Sequence, residues 1–180
     1  MRFDRAFAVL ALAAAVVATA CAPAAGTAVR PRAASKPGLA TVTKEVDGDT
    51  IHVDLAGVDE RIRFIGVDTP ETHGKNGLVE CFGKEASDHT ASLIPVGTRL
   101  RLVRDAEARD RYGRLLAYVY RASDDLFVNL ALARDGFADV LTFPPNVAHA
   151  QEFVAAVRDA RNANRGLWRA CGSADVPIEN

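Results

Sequence analysis

The chain has 180 residues, 49% of them hydrophobic, with 22 basic against 23 acidic side chains and a formal net charge of −1. That balance excludes a global polycation, so any affinity for a polyanion has to be local. The length suits one ordinary domain once the two ends are set aside.

Arg2 and Arg5 precede an apolar run from Ala6 to Ala20, which reads as a signal peptide over residues 1–20. At about 15 residues the run is short of the roughly 20 needed to span a bilayer. Ala18-Thr19-Ala20 has the small-x-small form of a cleavage site, and Cys21 follows directly. This arrangement resembles a bacterial lipobox with alanine at the position where leucine is usual. A cell-envelope lipoprotein anchored through Cys21 is therefore favoured over free secretion, and export is expected either way. Removing residues 1–20 takes away two arginines and one aspartate and leaves the remainder at −2. Cys81 and Cys171 then form an even pair in an oxidising compartment, which favours a disulfide over two separately buried thiols.

Residues 21–39 are small and punctuated by proline, without a hydrophobic period, and read as a flexible tether. A single domain is expected over 40–171, with 172–180 as a C-terminal tail. Thr41–Val46 and Thr50–Leu55 alternate apolar and polar residues around Asp47-Gly48-Asp49, as two strands would. A turn through 56–60 leads to a third strand, Arg61–Val67. Gly83–Ile94 has a helical pattern with Ala86, Thr90, Leu93 and Ile94 on one side. Thr98–Arg104 and Arg114–Tyr120 read as two further strands. Asn129 is placed to cap a short helix that ends at Gly136. A last helix is expected from about Asn146 to Asn164, with Val147, Ala150, Val154 and Val157 as its buried stripe. The predicted class is α+β, mainly β: a five-stranded oligonucleotide-binding (OB) barrel with about three helices.

Three clusters carry chemistry. Asp47-Gly48-Asp49-Thr50 sets two carboxylates at the lip of a strand, Asp68-Thr69-Pro70-Glu71 ends the third strand, and Asp110-Arg111-Tyr112-Gly113-Arg114 opens the fifth. Singly, each reads as an ordinary turn or charged hairpin. Together they supply the parts for in-line displacement at a phosphodiester. Asp49 and Asp68 are hard oxygen donors which, with a threonine and waters, suit calcium. Arg63 and Arg114 are planar forks that can hold a phosphate. Glu71 remains as a carboxylate able to take a proton from water. His52, His73, His89 and His149 lack metal-ligand spacing, and no serine or cysteine nucleophile set is present. One conflict is internal. Arg63 and Asp68 are five apart, so on a regular strand they face opposite sides, and sharing a site requires a break near Gly66.

Asp47-Gly48-Asp49-Thr50, Arg63 with Val67-Asp68-Thr69-Pro70-Glu71, and Asp110 through Tyr118, in that order and spacing, resemble the staphylococcal nuclease (thermonuclease) family. Gly83-Lys84-Glu85-Ala86, Val128-Asn129, Arg134-Asp135-Gly136, Pro144-Pro145-Asn146 and Gly166-Leu167-Trp168 extend the resemblance over roughly 40–171. The resemblance implies a calcium-dependent, sequence-nonspecific phosphodiesterase on DNA and RNA that breaks the bond to the 5′ oxygen and leaves 3′-phosphate ends. It implies Asp49, Asp68 and the Thr69 carbonyl as calcium ligands, with Asp47 behind them. Glu71 would act on the attacking water, Arg63 and Arg114 on the phosphate, and Arg111 and Tyr112 on the terminal phosphate region of the substrate. Phe143 can stack on a base, where Leu141 stacks less well. Arginines 99, 101, 104, 109, 111 and 114 outnumber Asp105, Glu107 and Asp110 and offer a local path for nucleic acid, preferably unpaired. The expected protein is a monomer that meets the membrane only through Cys21. The competing reading is a catalytically silent nucleic-acid-binding module on the envelope. Such a module is expected to lack a metal carboxylate, the base or an arginine, and all of these are present here.

Overall fold

The computed structural model describes residues 39–72 and 79–178. The leader, residues 21–38 of the expected tether (Cys21 among them) and His73 lie outside the described residues, and Leu39, expected in the tether, already belongs to the first strand.

Strands β1 (Leu39–Asp47), β2 (Thr50–Leu55) and β3 (Val58–Phe64) form an antiparallel meander. Ala56 and Gly57 both have positive φ, the two-residue turn whose twist suits a hairpin. That tight turn starts β3 earlier than the sequence indicated. The strand also ends earlier, at Phe64. Residues Gly66–Asp68 form a separate strand, β4, because Gly66 reverses the backbone at φ 86°. After α1 (Gly83–Leu93) come β5 (Arg99–Val103) and β6 (Leu115–Arg121), with β5 antiparallel to both β1 and β6. β6 then pairs in parallel with β3, Ile62 opposite Leu115 and Phe64 opposite Ala117, which closes a five-stranded barrel. Ile51, Val53, Ile62, Phe64, Leu100, Ala117 and Val119 fill it with essentially no exposure. Each larger apolar side chain buried this way contributes about 1.5–3 kcal/mol. The hairpins bearing the acidic turns are thus fixed from inside.

β7 (Leu126–Phe127) is a short edge partner of β6 and leads into α2 (Val128–Asp135), which ends at Gly136 in the left-handed conformation. Asn129 does not cap this helix. It lies inside it, fully buried, where its Oδ1 accepts from the Val119 N–H at 2.9 Å and its Nδ2 donates to the carbonyls of Ile65 (2.9 Å) and Ala117 (3.2 Å). The side chain fastens the end of β3 to β6, and helix α2 proceeds without a side-chain cap.

β8 (Asp139–Leu141) pairs antiparallel with β4, Gly66 opposite Leu141. Helix α3 spans Ala150–Asn162, and a single turn, α4 (Leu167–Ala170), follows. The last long helix therefore starts four residues later than expected. Its buried stripe is Phe153, Val157 and Ala160, whereas Val147 and Val154 are exposed. Residues 146–148 are engaged elsewhere. Asn146 Oδ1 accepts from the Glu107 N–H at 2.7 Å, and the Ala148 N–H donates to Asp105 at 3.0 Å. Those bonds tie the segment to the β5–β6 loop instead of a helical turn. Cys81 and Cys171 are joined in a disulfide with Cα atoms 6.0 Å apart.

Candidate active site

The three acidic and basic turns converge at the exit of β3. At the β1–β2 turn, Asp49 is buried and accepts from the Thr50 hydroxyl (3.0 Å) and the Thr69 N–H (2.9 Å). Gly48 passes so close to Thr69 that a Cβ on it would lie 2.7 Å from Oγ1, so the turn tolerates only glycine there without movement. Thr90 of α1 donates to the Gly48 carbonyl at 2.5 Å and braces the turn from beneath. Asp47, also buried, accepts from the Gly48 N–H at 3.0 Å and the Thr72 hydroxyl at 3.4 Å.

Gly66 resolves the parity conflict between Arg63 and Asp68. Its positive φ turns the chain, and a Cβ at this position would sit 2.2 Å from the Phe153 ring. Arg63 Nη1 donates to the carbonyls of Phe64 (2.9 Å) and Val67 (2.8 Å), wrapping the reversal. Its Nη2 then lies 2.5 Å from Asp68 Oδ1 and 3.1 Å from Asp49 Oδ2. The two carboxylates thus meet at one guanidinium nitrogen.

Negative charge is in excess here. Burial pushes the Asp68 carboxyl up to about 6, with Asp49, Asp175 and Glu80 adding to the shift and Arg63 opposing it. Glu71 is raised to about 8 by burial first, then by a hydrogen bond to Asp47 and the charges of Asp47, Asp49 and Asp68. Such a site favours an added cation, and Asp49, Asp68 and Thr69 offer only hard oxygens. Thr69 Oγ1 is buried with no hydrogen-bond partner among the described residues. No three His, Cys, Asp or Glu side chains converge as a metal cage among those residues, so waters would have to complete any coordination shell. The residues fit a calcium ion in that partly hydrated form.

Arg63 also lines a cleft of about 470 Å³ together with Arg111, Tyr112, Arg114, Leu141 and Phe143. Asp110 organises its basic side. Asp110 Oδ1 accepts from the N–H groups of Tyr112 and Arg114, both at 2.9 Å, and Oδ2 accepts from Arg114 Nε at 2.6 Å. Burial works against the charged form of Asp110, but the bonds from Arg114 outweigh it and hold the carboxyl below its ordinary range. Arg114 keeps its terminal nitrogens for other partners, since only Nε meets Asp110. Tyr112 and Phe143 stand 68% and 69% exposed, wide open for stacking, and the guanidiniums of Arg111 and Arg114 lie over the Tyr112 ring at 4.8 and 5.6 Å. Glu71, Asp49 and Asp68 do not line this cleft, and Arg63 is the residue common to both groups. His52, His89 and His149 each lie beside a carboxylate instead, Asp59, Asp135 and Glu152 respectively.

Sequence reasoning missed three supports. Asn129 holds the Ile65 carbonyl, Asn146 clamps the Glu107 backbone under Phe143, and Glu80 binds the backbone of Glu71. Asparagine followed by apolar helix reads as a cap, and no spacing rule singles out Glu80. Only the adjacent Cys81 marked that stretch as constrained.

A family model described as "Staphylococcal nuclease homologue" matches residues 61–170. The chain is 42% identical over 127 residues to a thermonuclease of Staphylococcus intermedius, which covers 71% of this chain and 74% of that one. To a thermonuclease of Staphylococcus hyicus it is 39% identical over 127 residues, 71% of this chain and 73% of the other. The endonuclease YncB of Bacillus subtilis (strain 168) is 36% identical over 134 residues, 73% of this chain and 62% of its own length.

Proposed function

This chain belongs to the staphylococcal nuclease family and is a nuclease, a hydrolase whose substrate is nucleic acid; from that premise we propose how it works and where. It is a calcium-dependent, sequence-nonspecific phosphodiesterase that hydrolyses DNA and RNA at the 5′ P–O bond and leaves 3′-phosphate ends. One observation carries the reading: Asp49 and Asp68 meet at Arg63 Nη2, and Arg63 lines the same cleft as Arg114.

In this account a strand of nucleic acid lies along the cleft, one base against Phe143 and Tyr112. Arg63 and Arg114 donate to the non-bridging oxygens of the scissile phosphate, where charge builds as the reaction proceeds. Glu71 takes the proton of a water that attacks phosphorus opposite the 5′ oxygen. The P–O5′ bond breaks, the departing 5′ oxygen takes up a proton to become a hydroxyl, and phosphate remains on the 3′ side. Calcium held by Asp49, Asp68 and Thr69, when bound, supplies the positive charge that this acidic pocket favours and that the developing phosphorane needs. Arg111 lies beside Tyr112, donating to its hydroxyl at 2.7 Å, and fits a terminal phosphate. Leu141, opposite Gly66 in the β4–β8 pair, gives that wall an aliphatic face, so base stacking rests on Phe143 and Tyr112.

We assign residues 1–20 to a signal peptide, 21–39 to a tether with Cys21 lipidated, 40–171 to the catalytic domain and 172–180 to a tail. The leader pattern supports an exported, envelope-anchored enzyme, and we propose further that it acts as a monomer on unpaired strands. Digestion of single-stranded DNA with and without calcium tests the core of this reading. Cleavage is expected only with calcium, and Glu71→Ala and Arg114→Ala are expected to lose it. Binding without cleavage would instead make the chain a silent OB module.

A further inference from the structure

The general base of the proposed reaction is held by a residue that the reaction itself does not use. Glu71 offers two backbone polar groups, and Glu80 takes both. The Glu71 N–H donates to Glu80 Oε2 at 2.8 Å, and the Glu80 N–H donates to the Glu71 carbonyl at 2.9 Å. Gly83 at the start of α1 packs on the same carbonyl, so that a Cβ there would lie 2.6 Å from the oxygen. Glu71 is therefore gripped from two sides by the segment that leads into α1.

That segment is itself fixed from its other edge. The Cys81 N–H donates to the Val176 carbonyl at 2.7 Å, the Ile178 N–H donates to the Val79 carbonyl at 2.9 Å, and Glu80 bridges to Pro177. Cys81 is covalently tied to Cys171, five residues before Val176. Residues 79–81 are thus bonded to Glu71 on one hand and to residues 176–178 on the other, and the disulfide ties Cys81 to Cys171 as well. The tail expected at 172–180 is in this way part of the site's support.

We infer that Glu80 is a positioning residue for Glu71, and that the Cys81–Cys171 disulfide, by holding Glu80 in place, makes full nuclease activity depend on oxidation. The inference rests on the assignment of Glu71 given above. A carboxylate that must reach one water loses roughly a hundredfold in rate when misplaced by about 1 Å, and two backbone hydrogen bonds set where the Glu71 Cα stands. Reduction needs two electrons and two protons. A dithiol supplies them by closing to its own cyclic disulfide, and Cys81 and Cys171 are left as thiols.

The test is steady-state cleavage of single-stranded DNA by the full chain in saturating calcium, together with hydrogen exchange at the Glu71 amide. Glu80→Ala is expected to lower kcat roughly tenfold to a hundredfold with KM near wild type, and to speed exchange at that amide. Glu80→Gln, whose side-chain oxygen still accepts the N–H, should restore both. The paired change Cys81→Ser with Cys171→Ser, and treatment with dithiothreitol, should lower kcat while circular dichroism stays native. Adding Glu80→Ala to the cysteine pair should cost little more. Wild-type kcat in Glu80→Ala, equal damage in Glu80→Gln, or undiminished kcat without the disulfide would each overturn the inference. Should Glu71→Ala cleave like wild type, the assignment beneath it falls as well. An inactive Glu71→Ala beside a fully active Glu80→Ala removes the positioning role alone.

Discussion

Arg63 is where the sequence was both most and least legible. Its place beside Asp49 and Asp68 and in one cleft with Arg114 could be anticipated from the motif, because charged side chains in apolar surroundings need partners. Its direction could not, because strand parity put it on the wrong side of Asp68. Gly66 removes the conflict with a left-handed turn packed on Phe153. Gly66→Ala should therefore destabilise the fold by at least about 1–3 kcal/mol, since strained φ alone costs that much and the Cβ meets a ring besides. Urea denaturation checks it, and a stability equal to wild type would mean that the turn is not held as described. Asp49 allows a cleaner separation of binding from folding. Asn can keep its Oδ1 as the acceptor for the Thr69 N–H and turn its Nδ2 to donate to the Thr50 hydroxyl, while losing the charge. Asp49→Asn should weaken calcium by at least about tenfold, as even partners outside a metal's direct ligands do, with the melting temperature close to wild type. Unchanged calcium titration would remove Asp49 from the ligand set.

Elements were legible where one period dominates. The alternation in β1 and β2, the strands of the β5–β6 pair and the glycine stop of α2 all follow local rules. The end of β3 and the start of α3 follow tertiary ones. Residues 146–148 have a helical pattern, yet Asn146 and Ala148 bond across to Glu107 and Asp105, and the helix waits until Ala150. Asp105 is the hub of that crossing. Burial acts against its charge, but the N–H groups of Ala148 and Ala106 and the hydroxyl of Tyr118 together hold its carboxyl below the ordinary value. A depressed carboxyl contributes stability that is complete above its unfolded pKa, near 4, and is lost as pH falls through the lower folded value. Urea midpoints measured from pH 6 down to pH 3 should decline less steeply for Asp105→Asn than for wild type, from a lower starting value at pH 6. Parallel curves would show that Asp105 carries no such linkage.

At the scale of the whole molecule, the barrel could be anticipated from strand count and from three motifs far apart in sequence. The way the ends of the domain are joined could be anticipated only as a pairing of two cysteines. Position 81 lies beside the Glu71 turn, and position 171 follows α4. Closing a loop of this length stabilises a fold by roughly 4–5 kcal/mol in the chain-entropy model. Reduction should accordingly lower the melting temperature by many degrees, and an unchanged melting curve in dithiothreitol would contradict a closed bridge. We propose that one site, made of Asp49, Asp68, Glu71, Arg63 and Arg114, hydrolyses the phosphodiester. It is tested most directly by identifying the new ends formed on an internally labelled single-stranded oligonucleotide, in calcium and in chelator. The expected result is 3′-phosphate and 5′-hydroxyl ends in calcium, none in chelator, and none from Glu71→Ala. Cleavage that continues in chelator, or that leaves 5′-phosphates, would contradict it.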